Sequence, residues 1–193
     1  MQRIATTVIG LVGAPDDDRR RALAAALGEG ANVRAVSPDP DAVALDRAVS
    51  AWREAARAHV PFVVHDADPL AEVAAAWVER WDDAGDIGRM EVAVLAVLQR
   101  WRAGNLQLPD YYLVVGADLL PVTARHWYLG VLATVAPHRV VVVDDDPEDL
   151  ARAVRNLRAG RWWPDLPALL DGLERRVPDS FEIGPSDEPA LLV

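Results

Sequence analysis

Short apolar runs rich in β-branched residues alternate with longer stretches of helical spacing along this chain. The runs fall at 4–12, 32–36, 60–65, 111–115 and 139–143, which reads as five strands. Phe62-Val63-Val64 and Val140-Val141-Val142-Val143 are continuously apolar rather than alternating, the pattern of strands covered on both faces. Between the runs, the spacing predicts helices over 19–27, 41–59, 70–81, 87–101, 122–135, 148–157 and 165–175. Trp77 and Trp81 stand at i and i+4, so one helix presents both to the same neighbour. The 87–101 stretch is apolar nearly all round through Val92, Val94, Leu95, Val97 and Leu98, which predicts a helix either deeply buried or lying in a subunit interface. Such alternation predicts an α/β fold: three layers, α/β/α, around a mainly parallel five-stranded sheet.

A chain of 193 residues is expected to form one domain with a large core, here spanning 1–177. From residue 178 the composition turns to Pro, Asp, Glu and Ser, which predicts a loosely ordered acidic tail over 178–193.

Charge and missing residue types remove whole classes of chemistry. The net charge of −10 opposes nucleic-acid binding, which needs Lys and Arg to displace counterions from phosphates. It equally opposes docking on anionic lipid. All 20 basic residues are arginine, so a Schiff-base lysine, a lysine general base and a lysine gripping a nucleotide phosphate are excluded. The absence of cysteine removes thiol nucleophiles, disulfides and thiolate metal sites together. Serine is scarce and no Gly-x-Ser-x-Gly occurs, which argues against a serine hydrolase. No apolar run approaches the roughly 20 residues that span a bilayer. The amino-terminal apolar stretch ends at Pro15 and runs into Asp16-Asp17-Asp18 without a cleavage pattern, so a cytoplasmic protein is expected.

Ligands of open α/β sheets sit beyond the carboxyl ends of the strands. The first such end reads Val8-Ile9-Gly10-Leu11-Val12-Gly13-Ala14-Pro15-Asp16-Asp17-Asp18-Arg19-Arg20-Arg21-Ala22-Leu23. A strand, a glycine, four residues and then a helix opening on Ala and Leu resembles the Walker A region of P-loop NTPases, small kinases and GTPases above all. In that spacing Gly13 takes the first glycine of G-x-x-x-x-G-K-[ST]. Asp18 stands where the second glycine belongs, Arg19 where the lysine belongs, and Arg20 where the magnesium-binding hydroxyl belongs. The resemblance implies a P-loop-NTPase-like fold, within the broader Rossmann-like class, and an ancestral cofactor site at Gly13, Asp18, Arg19 and Arg20. The departures imply that this site is degenerate. A carboxylate about 4 Å from a phosphate charge repels it by roughly 4 kcal/mol at an effective dielectric near 20. The same aspartates suit a helix start, through capping and the macrodipole. The expectation is a non-catalytic pseudo-NTPase that acts as an interaction or scaffold domain, with a protein partner or as a homodimer through the 87–101 helix.

Acidic residues recur at the other strand ends: Asp66 and Asp68 beside His65, Asp118, and Asp144-Asp145-Asp146. If the loops converge, Asp16, Asp66, Asp68, Asp118 and Asp144 are candidate ligands for Mg²⁺ or Mn²⁺, since hard cations take oxygen donors. Asp66, Asp144 and His65 would then be the catalytic groups of a metal-dependent hydrolase or phosphotransferase, a pattern distantly similar to Toprim and PIN domains. The alternatives are plain helix caps, because Asp66-Ala67-Asp68-Pro69 and Asp146-Pro147-Glu148-Asp149 both lead into predicted helices, or a site for a neutral or cationic small molecule. Trp162-Trp163 reads as packing for the last helix.

Overall fold

The structure is a computed structural model that describes residues 6–14, 16–82 and 86–178. Five strands, β1 (Thr7–Gly13), β2 (Val33–Val36), β3 (Phe62–His65), β4 (Tyr111–Val115) and β5 (Val140–Val143), form one sheet in the order β2-β3-β1-β4-β5. Every pairing is parallel. Residues 4 and 5 of the first expected strand and residues 179–193 of the expected tail lie outside the described residues, and Pro178 is buried.

The period of two along β1 builds the layers. Val8 and Val12 face one core, with Trp77, Met90, Val97 and Trp127; Ile9 and Leu11 face the other, with Leu23, Leu27, Leu150 and Val154. The first core is closed by α2 (Ala44–Arg57), α3 (Ala71–Asp82), α4 (Ile87–Arg102), α6 (Ala133–Val135) and α8 (Leu166–Leu170), while α5 (Val122–His126) buries no residue of its own. The second is closed by α1 (Asp17–Gly28) and α7 (Pro147–Arg155). The chain is thus a three-layer α/β/α sandwich, as the alternation predicts.

Several elements differ from the sequence expectation, each for a local reason. The predicted 122–135 helix widens into a π-helical segment, Trp127–Leu132, between α5 and α6. Gly130 lies under the His126 ring there, where a Cβ would come within 2.3 Å, and that ring stacks on Trp77 at 6.0 Å. The predicted 165–175 helix is broken, because Gly172 takes φ +68 and separates α8 from a 3₁₀ turn at Leu173–Arg175. Helix α2 starts three residues late: Asp39 accepts from the Asp41 amide (3.0 Å), closing a turn upstream, and no side chain caps the helix at Val43. Helix α1 starts early, at Asp17, because Asp16 caps it.

The turn out of β1 is held tightly against β4. Gly13 (φ +77) and Ala14 (φ +61) are both left-handed, and the Ala14 amide donates to the Val115 carbonyl at 2.8 Å. A Cβ on Gly13 would sit 2.4 Å from that same oxygen. Gly13→Ala is therefore expected to destabilise the fold by roughly 3 kcal/mol, combining a backbone clash with left-handed strain. Gly104→Ala is the control: φ is +71, nothing lies within 4 Å, and the expected cost is about 1 kcal/mol. Urea unfolding midpoints check both.

Candidate functional site

From β1 the chain runs out to the edge strand β2, returns to β3 beside β1, and crosses to β4 and β5 on the other side. The switch in direction lies at β1, which makes the carboxyl ends of β1, β3 and β4 the place where such sheets hold ligands. Two cavities open near this edge. One, of about 310 Å³, is bounded by Gly13, Ala14 and Arg20, by Ala71, Ala74 and Ala75 of α3, and by Tyr128. The other, of about 320 Å³, lies between the start of α2, the start of α3 and the outer part of α4, with Asp68 in its wall.

The charged side chains of the first loop are paired within the chain. Asp16 accepts from the Arg19 amide at 2.7 Å and so caps α1. Arg20 turns back, donating to the Gly13 carbonyl at 2.7 Å and pairing with Asp17. Arg21 pairs with Asp18. Arg19 reaches across to β5, donating through Nε to Asp145 Oδ1 (2.6 Å) and through Nη2 to the Asp145 carbonyl (3.1 Å). Gly13, Asp18, Arg19 and Arg20 thus stand around one turn, but the cations are committed to carboxylates and carbonyls of the chain itself.

Asp66 and Asp68 follow β3 and take different partners. Asp66, its side chain only 2% exposed, accepts from Arg47 Nη2 at 2.8 Å. Arg47, on α2, also lies 3.9 Å from Asp17, so it links the start of α1 to the end of β3. Asp68 accepts from the Leu70 amide (2.8 Å), from Tyr112 Oη (2.9 Å) and from Tyr128 Oη (3.2 Å). Burial pushes its carboxyl pKa up, against the pull of those three donors. His65 is buried beside them, its Nδ1 without a hydrogen-bond partner, and desolvation lowers its pKa to about 4 despite the neighbouring Asp66 charge. It is neutral at physiological pH.

The remaining candidates lie apart. Asp118 is fully exposed, 3.7 Å from Arg125. Asp144 is exposed at the end of β5, and Asp146 caps α7 by accepting from the Glu148 and Asp149 amides. Among the described residues, no three His, Asp or Glu side chains come close enough to hold a metal ion. Asp16, Asp66, Asp68, Asp118 and Asp144 share the carboxyl side of the sheet without forming a donor set. Trp163 is buried and donates Nε1 to the Pro109 carbonyl at 2.8 Å, so it packs as expected.

Arg47, Asp145, Tyr112 and Tyr128 organise this edge and are not singled out by motif. Arg47 carried a signal: it stands four and eight residues before Ala51 and Ala55, a lone cation in the buried stripe of its helix. The tyrosine contacts to Asp68 cross 44 and 60 residues, and no local pattern announces them.

No protein-family model matches the chain, and no curated protein matches it. No described helix is long and apolar enough to cross a membrane.

The buried imidazole has a measurable consequence. Its folded pKa lies below the unfolded value of 6.5, so the unfolded chain binds the extra proton first. Stability is full above pH 6.5 and falls as pH drops toward 4, by on the order of 3 kcal/mol from this group. Asp68, raised instead, works in the opposite direction at the acid end. Urea midpoints of His65→Gln between pH 7 and 4.5 are expected to fall less steeply than those of the parent chain. Equal slopes would show that His65 is not the titrating group.

Proposed function

We propose that this chain is a non-catalytic, P-loop-like domain that no longer binds nucleotide triphosphate and instead holds a partner protein. The self-paired charges of the first loop carry the proposal. Phosphate cradles work by leaving a helix N-terminus, converging amides and a cation open to the ligand. Here the Asp16 carboxylate takes the N-terminal amide, and Arg20 is held by the Gly13 carbonyl and Asp17. A triphosphate would have to displace these contacts and sit among Asp16, Asp17 and Asp18.

Support for a partner comes from α4. Its inner face buries Met90, Val97 and Leu98, while Val92 (67% exposed) and Leu95 (62%) point outward. Val43, 65% exposed, lines the 320 Å³ cavity together with Val92. Apolar side chains grouped over a groove, with Glu72 and Arg89 also in its lining, make a surface of the type that protein interfaces use.

Isothermal titration with MgATP and with MgGTP is expected to give no binding heat at millimolar nucleotide. Micromolar affinity for either would overturn the proposal.

A further inference from the structure

The cavity of about 310 Å³ lies beyond the carboxyl ends of β1 and β4, at the switch in strand direction. The loss of nucleotide binding and the α4 face leave it without a role. Four alanines line it, Ala71, Ala74 and Ala75 on α3 and Ala124 on α5, together with Val78 and Leu120. Methyl groups are too short to fill the space between the two helices, so the sequence itself keeps the cavity open. Uncommon backbone stands on two sides: Ala14 is left-handed (φ +61), and Trp127 and Tyr128 begin the π-helical segment. Such conformations gather at ligand sites.

The polar groups of the wall are mainly donors. Arg20 gives one Nη1 hydrogen to the Gly13 carbonyl and one Nη2 hydrogen to Asp17. A guanidinium carries five N–H groups, so the others stay unused among the described residues. Trp127 is wholly buried, and its indole Nε1 has no hydrogen-bond partner. Tyr128 already gives its hydroxyl proton to Asp68 at 3.2 Å. A ligand that satisfies this wall brings an oxygen acceptor.

Charge narrows the choice further. Asp17 balances Arg20, and Asp16 and Asp18 stand at the same turn, so an anion finds no free cation. A cation would meet the guanidinium. That leaves a neutral molecule. An apolar cavity of about 150 Å³ holds one benzene ring, and this one is about twice as large.

We propose that the cavity between the first turn, α3 and α5 binds a small neutral molecule with a flat apolar body, the size of two fused rings, and one carbonyl oxygen. The site is separate from the α4 face, and the proposal stands whether or not a partner protein binds there.

Three probes of one shape and different charge test it: 2-naphthamide, the 2-naphthoate anion and the 2-naphthamidine cation. Each is titrated into the full chain carrying ¹³C-methyl alanine and followed by NMR. With 2-naphthamide, the Ala71, Ala74, Ala75 and Ala124 methyl signals are expected to shift and saturate, with Kd of about 1 mM or tighter. Ala93 and Ala96, which line the other cavity, are expected to stay in place. The two charged probes are expected to bind at least about tenfold more weakly. Ala75 is exposed and Ala124 half-buried, so Ala75→Leu and Ala124→Leu fill the cavity without entering the core. Both are expected to keep the circular dichroism spectrum and to weaken 2-naphthamide at least about tenfold.

The absence of a saturable shift with 2-naphthamide would overturn the proposal, as would shifts centred on Ala93 and Ala96. Equal or tighter binding of either charged probe would overturn it too, because the cavity would then not select a neutral ligand. So would undiminished binding in either filled variant.

Discussion

Arginine held by aspartate is the constraint on which the carboxyl edge of this sheet depends. Arg47 sets Asp66 against the start of α1, Arg19 ties α1 to the end of β5, and Arg20 folds back on the loop that leaves β1. Removing one member of a buried pair such as Arg47–Asp66 leaves an uncompensated charge, a cost of about 3–5 kcal/mol. The exposed pairs are worth far less individually. Their effect is positional: they hold Arg19, Arg20 and Arg21 against carboxylates and a carbonyl of the chain itself.

The same constraint explains why the two functional readings of the acidic strand ends part company. A metal site needs carboxylates that converge with free lone pairs. Here Asp66 is spent on Arg47 and Asp68 on Leu70, Tyr112 and Tyr128, while Asp16 and Asp146 are spent on helix N-termini. Under the proposed function, such an edge leaves partner binding to the surfaces of the domain rather than to its crevice. The exposed α4 face is such a surface.

Much of the architecture was legible because periodicity and burial are local signals. The β4 limits match the apolar run residue for residue, and the valines of β5 announce a strand without help from context. What escaped was non-local or depended on one backbone angle. The break in the last helix rests on the left-handed Gly172, and the π-helical segment rests on how His126 packs over Gly130. The pairing of Arg19 with Asp145 joins residues 126 apart and could not be read from either neighbourhood. Asp16 as a cap was readable, since Asp before an Ala-Leu helix is a start signal.

The central claim is that the guanidiniums of the first loop are already spoken for. Nitrogen-15 NMR of the arginine Nε–H groups during titration with inorganic tripolyphosphate tests it most directly. The account predicts that the Arg19 and Arg20 signals stay in place at millimolar ligand. A saturable shift of both would contradict it.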